Sequence, residues 1–254
     1  MKRILTIFLT AICLNICHVA NAQNDVYLVP NPQTAKWSYI QTDDKGTHIS
    51  TIYYSVESLE GDGLNGKMKL LVEEVPVKSP KETNKSYDFY CFKDGELMVD
   101  LYSGFDEMMF DGLLDSLILK TIADNHPDLP EAKIKEVLEA TRAELVKVSG
   151  GPRGIPRHPE VGKLPDYEFQ IKFSIASMKV IGQERRIVGS ESIKTKAGVF
   201  DCYILEEKIT TKAMMMKEVE KSKSWYAYGI GLVKEITYDK NGKLISTMIL
   251  NEIK

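Results

Sequence analysis

The sequence contains few of the residue types that most often carry chemistry at protein sites. Its 254 residues include four cysteines and four histidines, and one histidine lies in the apolar N-terminal region. The other three are His48, His126 and His158, and none of them has the H-x-x-x-H spacing that is typical of a zinc site. No closely paired cysteines accompany them. The sequence therefore predicts no metal site and no cofactor.

Motifs of common enzyme families are also missing. There is no G-x-S-x-G sequence, so an ordinary serine hydrolase is not indicated. The glycine-rich run 150–154 lacks the Gly-Lys-Ser/Thr ending of a phosphate-binding loop. The acidic pairs Glu73-Glu74 and Glu206-Glu207 do not form dyads by themselves, because neighbours on a strand point to opposite faces. No catalytic residue is predicted, although acids such as Asp166 or Glu184 could pair with a distant acid in the fold.

Charge of either sign is not in large excess, and long apolar runs are confined to the start of the chain. The formal net charge is −3, which argues against nucleic acid as a partner and against simple attraction to anionic lipid. Residues 1–22 read as a secretory signal peptide, with a basic start, an apolar run over 4–17 and the small residues of Ala20-Asn21-Ala22 before the cleavage point. We therefore expect a mature chain from Gln23 in the periplasm or outer cell envelope.

Two other interpretations of the N-terminal region are less favoured. A lipoprotein signal would need a small residue before the modified cysteine, but Cys13 and Cys17 both follow isoleucine. A retained transmembrane anchor would need a longer apolar run. We expect neither a lipid nor a transmembrane anchor after processing.

The C-terminal quarter has the pattern of consecutive antiparallel strands. Val199–Thr211 is rich in β-branched and aromatic residues, a second strand begins at Trp225, and Asp239–Gly242 predicts a hairpin into Leu244–Ile253. We expect Trp225 to pack in the core. Gly229 and Gly231 interrupt the pattern, and we expect them to permit a bend within one long strand.

The rest of the chain predicts further strands around two helices. Five strands are expected before residue 103, and Tyr167–Val180 and Ile187–Lys194 supply two more. Between them, Phe105–Ala123 has a wide apolar stripe at helical spacing, which favours a buried helix laid across the sheet. A second helix is expected from Pro130 to about Val148. The fold class is therefore mainly β (α+β), a curved antiparallel sheet or incomplete β-barrel in a single domain over 23–254, with a helical insertion at about 105–148.

Several short motifs resemble those of one family. They include AGVFDCYIL at 197–205, WYAYGIGLVK at 225–234 and the GKL hairpin at 242–244, with weaker matches at Trp37-x-Tyr39, Tyr90-Cys91 and Gly162–Asp166. In order and spacing they are similar to the TapB-like group of exported Bacteroidetes proteins, relatives of a larger envelope family of unknown function. The resemblance implies an exported β-rich fold and implies no reaction.

The two cysteines beyond the signal peptide are expected to be structural. An even count in an oxidising compartment favours a disulfide between Cys91 and Cys202, with two buried free thiols as the alternative. A reactive thiol is disfavoured because neither cysteine has a neighbouring histidine.

These observations favour a non-catalytic envelope protein that binds an apolar ligand or a protein partner between sheet and helix. The alternative is an envelope hydrolase whose acid pair is assembled only in the fold. Methionines adapt readily to apolar ligands, so the apolar stripe supplies the candidate contacts. The predicted ligand contacts are Met108, Met109, Phe110, Leu113 and Leu117.

Overall fold

The protein folds around one antiparallel sheet of fourteen strands. The computed structural model describes residues 36–61, 65–101, 103, 115–145, 147–151, 153–172, 177–213 and 216–254. The strands are β1 (Lys36–Asp43), β2 (His48–Gly61), β3 (Gly66–Pro76), β4 (Asn84–Lys93), β5 (Glu96–Val99), β6 (Lys147–Gly150), β7 (Arg153–Ile155), β8 (Gly162–Lys163), β9 (Tyr167–Lys172), β10 (Ser177–Lys194), β11 (Val199–Ala213), β12 (Met216–Ala227), β13 (Gly231–Asp239) and β14 (Leu244–Ile253). The helices α1 (Asp115–Asn125) and α2 (Glu131–Leu145) lie between β5 and β6. The predicted mainly β fold with two helices inserted mid-chain is confirmed.

The two ends of this sheet lie close together in space. The strand order is β6-β9-β10-β11-β12-β13-β14-β1-β2-β3-β4-β5-β7, with β8 beside β10, so β6 and β7 are at opposite ends. Gly151, directly after β6, donates its N–H to the carbonyl of Glu168 at 2.9 Å, while Arg153 already pairs with Val99 of β5. Consecutive Cα atoms are about 3.8 Å apart, so the Cα atoms of Gly151 and Arg153 are separated by at most about 7.6 Å. The sheet therefore curls into a barrel that is not closed by backbone hydrogen bonds.

The interior of the curled sheet holds most of the hydrophobic core. Tyr39 of β1 lies opposite Leu250 of β14, and both are almost fully buried. The Trp37 and Tyr54 rings stack at 5.5 Å, and the hydroxyl of Tyr39 donates to the carbonyl of Leu232 at 2.6 Å. Other buried side chains of the core cluster are Met68, Leu70, Phe92, Leu97, Ile155, Ile187, Leu205 and Val233. Aromatic and aliphatic packing from both halves of the chain thus fills the barrel.

Three local predictions are corrected by the strand pairing. The segment around Gly229 and Gly231 is the turn between the antiparallel strands β12 and β13, with φ of 70° and 84°, so the predicted bend in one long strand is wrong. Tyr167–Val180 is not one strand, because Phe169 pairs with Val180 in a β9–β10 hairpin. β12 begins at Met216 rather than at Trp225. The sequence did not indicate this earlier start, because the charged and serine residues before Trp225 show no apolar alternation.

Most of the predicted apolar stripe of the first helix lies outside the residues whose side chains the structure describes, so its burial stays a prediction. Among the described residues, α1 and α2 contact each other more than they contact any strand. Ile122 is buried, but Leu119 of α1 is 39% exposed and Val137 of α2 is 36% exposed. The second helix ends at Leu145 and not near Val148, because Val148 pairs with Ile171 in the sheet. No described helix is both long and apolar enough to cross a membrane.

The predicted disulfide is not formed in this structure. Cys91 and Cys202 are free thiols on β4 and β11, strands that are far apart in the sheet order. Tyr90 precedes Cys91 and Tyr203 follows Cys202, and both tyrosines point into the barrel. Because neighbours on a strand point to opposite faces, both thiols lie on the outer face and point away from each other. Cys91 donates to a carboxylate oxygen of Asp100 at 3.6 Å, and Cys202 donates to the carbonyl of Phe200 at 3.3 Å. Burial raises the pKa of Cys202 to about 12, which suits an unreactive thiol.

Candidate functional site

A bulge in β10 decides which of its charged side chains enter the barrel. The register with β11 shifts between Gln183 and Arg186, so that Glu184 and Arg185 both lie opposite Glu207. Glu184 takes up the extra residue with a φ of 55°. One extra residue reverses the alternation that follows it. As a result Arg185 is buried, whereas the residues on either side of it are exposed.

Inside the barrel, Glu207 of β11 is held by two arginines. Its side chain is fully buried, and one carboxylate oxygen accepts from Nε of Arg185 and from Nε of Arg153, each at 3.2 Å. Nη2 of Arg153 also contacts the second carboxylate oxygen. Arg185 donates further to the carbonyl of Pro165 at 2.7 Å and to that of Gly154 at 2.6 Å. Because Arg153 and Gly154 belong to β7, at one end of the sheet, this cluster joins that end to β10 and β11 near the other end.

The barrel interior also contains ionisable groups near the aromatic core. Burial raises the pKa of Asp88 on β4 to about 6, and a hydrogen bond from Tyr54 opposes this shift. Burial likewise raises the pKa of Tyr226 to about 12, against the effect of the nearby Arg153 guanidinium. Glu235 accepts from the hydroxyl of Ser224 at 2.9 Å. These groups make the interior partly polar, although they do not surround a described cavity.

The exterior of the same strands forms an open cleft of about 950 Å³. Its floor is the face of β10, β11 and β12 that carries Glu206, and β8 forms one wall beside β10. Tyr238 of β13 stands at the far side. The lining residues are 161–163, 184–188, 206–208, 221–223 and Tyr238.

The outward-pointing side chains give this cleft a positive charge. Five are basic and two are acidic: Lys163, Arg186, Lys208, Lys221 and Lys223, against Glu184 and Glu206. The two carboxylates are already paired. Glu206 accepts from Arg186 at 2.7 Å and lies 3.6 Å from Nζ of Lys223, and Glu184 accepts from Lys208 at 2.9 Å. The hydrogen bond from Lys208 lowers the pKa of Glu184.

Two lysines of the cleft have no such partner. Nζ of Lys163 on β8 and of Lys221 on β12 form no ion pair with any residue that the structure describes. Lys163 lies directly opposite Arg186, and Lys221 lies opposite Lys208, so each sits beside another cation. Glu184 also attracts Lys221, which helps to lower the pKa of that carboxyl, but Glu184 already accepts a hydrogen bond from Lys208. Basic side chains thus outnumber acidic ones around both lysines, which is unfavourable unless a further anion neutralises them. The arrangement therefore suits a negatively charged ligand.

The residues predicted to contact a ligand are not among those whose side chains the structure describes. Met108, Met109, Phe110 and Leu113 lie outside the described residues, and Leu117 belongs to α1, whose side chains are described only from Leu119. A cleft between sheet and helix thus stays a prediction. Trp225 is 4% exposed, and its indole nitrogen donates to a carboxylate oxygen of Glu191.

The hydrolase alternative gains no support from the described acids. Glu206 and Glu207 point to opposite faces, as strand alternation predicts, and each is engaged by arginine. The raised pKa of Asp88 comes from burial and not from a second carboxylate. No group of three or more histidine, cysteine or acidic side chains that could hold a metal ion forms within the described ranges.

Sequence reasoning missed the arginines and lysines of both sites. Arg185 and Arg186 are adjacent, and their opposite roles depend on a bulge that no short motif announces. Lys163 and Lys221 lie nearly sixty residues apart in the chain and come to line one cleft only through the strand order. One signal in the sequence is the concentration of lysines in 208–223, which carries no pattern of its own for a binding site.

Comparison with known proteins supports the fold. A model of the DUF3108-like family matches residues 152–250. No curated protein sequence matches the chain. The family match covers β7 to β14, and so includes both the buried cluster and the exterior cleft.

Two solved structures share this architecture over nearly their whole length. One is a candidate lipoprotein from Parabacteroides distasonis ATCC 8503, with 19% identity, a TM-score of 0.58 and coverage of 90% of this chain and 99% of the other. The second is a candidate exported protein with a YmcC-like fold from Bacteroides fragilis NCTC 9343, with 15% identity, a TM-score of 0.58 and the same coverage. The matches do not name the TapB-like group, so that finer resemblance stays a prediction. What they show is the fold alone, shared at low sequence identity.

Proposed function

We propose that this protein is an exported envelope protein that binds an anionic ligand in the exterior cleft and does not transform it. Export is supported by the signal-peptide pattern of residues 1–22 and by the two structural neighbours, described as a candidate lipoprotein and a candidate exported protein. Periplasm or outer envelope is the expected location.

The observation that carries the ligand class is the pair of unneutralised lysines. Lys163 and Lys221 stand on different walls of a cleft whose acidic side chains already have basic partners. Complementary charges in a binding surface attract the ligand and select it by its charge. A lysine that forms no ion pair within the protein is available to bind a negatively charged group of the ligand. An anion entering the cleft would meet both.

The absence of a chemical step rests on the surroundings of the acids. The exterior carboxylates are paired and partly exposed, and the lysine beside Glu184 lowers the pKa of that carboxyl rather than raising it. A general acid at neutral pH needs a raised pKa. The cleft therefore offers binding groups and no proton donor among the carboxyls that line it.

Calorimetric titration with pyrophosphate tests this function. The wild-type protein should bind this soluble anion, and the double variant Lys163→Glu, Lys221→Glu should bind it at least about tenfold more weakly, because both contacts become repulsive. Binding should weaken as salt is added, since the Debye length is about 10 Å at 0.1 M ionic strength.

The matched control is the double variant Lys78→Glu, Lys81→Glu, at two exposed lysines in the connection between β3 and β4. This variant makes the same two charge reversals far from the cleft in the sheet order and should bind pyrophosphate like the wild type. Equal weakening in this control and in the cleft variant would mean that only overall charge matters. That result, or no wild-type binding, would overturn the proposal.

A further inference from the structure

The face that carries the cleft continues into a strip of isoleucines. Arg186, Glu206 and Lys223 lie opposite one another on β10, β11 and β12, and the next residue across is Ile236 of β13. Residues opposite one another in an antiparallel sheet share a face. The cationic floor of the cleft therefore passes directly into apolar surface.

The strip extends over the neighbouring strands. Ile249 of β14 lies opposite Ile40 of β1 on one side and opposite Lys234 of β13 on the other, and it is diagonal to Ile236. Ile245 of β14 and Ile49 of β2 alternate onto the same face, and they are 41% and 38% exposed. We name this surface the isoleucine strip; its members are Ile40, Ile49, Ile236, Ile245 and Ile249.

The cleft alone or the isoleucine strip alone would not indicate the ligand class, but the two surfaces together do because they adjoin. Tyr238 lines the cleft and is two residues from Ile236 on the same face of β13, so a ligand that fills the cleft reaches the strip without a gap. Adjacent strands are about 4.8 Å apart, so the surface from β13 to β1 is about 10 Å across. That width accommodates a short hydrocarbon chain, while the unpaired lysines require negative charge.

We propose that the ligand is an anionic amphiphile, with a phosphate-type head group in the cleft and its apolar part on the isoleucine strip. This inference rests on the proposed function and specifies its ligand. Lys163 and Lys221 contact the head group, and Ile236, Ile245 and Ile249 contact the first part of the chain. The head-group chemistry is common to a free phosphate ester and to a lipid, and the strip distinguishes the two.

An alkyl phosphate series tests the proposal, with each compound kept below its aggregation concentration. Methyl, butyl and decyl phosphate should bind with increasing affinity, because each buried methylene adds to the apolar transfer term. We expect decyl phosphate to bind at least about tenfold more tightly than methyl phosphate, which is modest because a surface strip buries the chain on one side only. Decyl phosphocholine, in which the choline offsets the charge of the phosphate, should bind more weakly than decyl phosphate.

Two variants separate the contributions of head group and chain. Ile245→Glu should reduce the binding of decyl phosphate at least about fivefold and leave methyl phosphate unchanged, whereas Lys221→Glu should weaken both. The control for Ile245→Glu is Val199→Glu, since Val199 is 58% exposed at the start of β11 and away from the strip. Circular dichroism and thermal melting of each variant confirm that it is folded.

Each outcome decides a different part of the account. Equal affinity for methyl and decyl phosphate, or equal effects of Ile245→Glu and Val199→Glu, would overturn the amphiphile while leaving the anionic ligand in place. Failure of pyrophosphate to bind the wild-type protein would overturn the proposed function as well.

Discussion

Glu206 and Glu207 are neighbours in β11, yet one carboxylate lies among exterior basic side chains and the other is fully buried between two arginines. A buried carboxylate loses its hydration, and the loss is offset only if charged partners and hydrogen bonds surround it. Arg153 and Arg185 provide those partners for Glu207, and the Arg185 guanidinium is completed by two backbone carbonyls.

Removing this buried charge should be much more harmful than removing the exposed one. Glu207→Gln leaves two arginines in the barrel without a counter-charge and should lower the free energy of unfolding by about 3–5 kcal/mol. Glu206→Gln removes an exterior ion pair and should cost about 1 kcal/mol or less. Urea unfolding of the two variants measures both values. Similar losses would show that Glu207 does not join the ends of the sheet.

Asp88 gives the barrel a pH dependence of predictable sign. The pKa of its carboxyl is raised from 3.8 to about 6 by burial, so between these pH values the folded chain keeps a proton that the unfolded chain has lost. The contribution of Asp88 to the free energy of unfolding therefore falls as pH rises from about 4 to about 6. The free energy of unfolding of the wild type minus that of Asp88→Asn should therefore be larger at pH 4 than at pH 7, by up to about 3 kcal/mol.

Chemical denaturation of both proteins at pH 4 and pH 7 measures this difference. Using the difference between wild type and variant removes the contributions of the other carboxyls, which both proteins share. A stability difference that is the same at both pH values would mean that the Asp88 carboxyl is not desolvated in the folded protein.

At the level of elements, β9 and β10 support the buried arginine through a close contact. Gly182 of β10 lies opposite Tyr167 of β9, and the tyrosine ring covers the glycine where a Cβ atom would stand. The same ring lies 5.1 Å from the guanidinium carbon of Arg185. Glycine is therefore needed at this position for steric reasons, since its φ is not in the left-handed region.

Gly182→Ala should displace the ring and lower the free energy of unfolding by about 1–3 kcal/mol. Gly151→Ala is the matched control, because a Cβ atom there would meet nothing within 4 Å. We expect that variant to remain within about 0.5 kcal/mol of the wild type. Thermal or urea unfolding compares the two, and a neutral Gly182→Ala would contradict the close packing of Tyr167 on β10.

Elements with strong local patterns were predictable and those set by pairing were not. The five N-terminal strands and the hairpin at Asp239–Gly242 follow from β-branched alternation and turn residues, and the structure contains them. The first part of β12, before Trp225, was not predicted because Lys221 and Lys223 face solvent while Ser222 and Ser224 face inward, which leaves no apolar alternation. The β10 bulge, which places Arg185 inside, depends on the register with β11 and on no local signal.

At the level of the whole molecule, the net charge did not indicate the local positive charge of the exterior cleft. The net negative charge argued against nucleic acid and against simple attraction to anionic lipid. The curled strand order nevertheless brings β8 beside β10 and collects basic side chains from distant segments in one cleft. The sequence instead directed attention to the apolar segment before α1. The two views place the ligand at different sites on the molecule.

Hydrogen exchange measured by mass spectrometry, with and without pyrophosphate, distinguishes these sites directly. Residues of a two-residue exposed strand such as β8 should exchange readily in the free protein. We predict that the anion slows exchange in peptides covering 161–163, 184–188 and 221–223 and leaves peptides from 105–145 unchanged. Slower exchange confined to the helical peptides would contradict the account and place the ligand between sheet and helix.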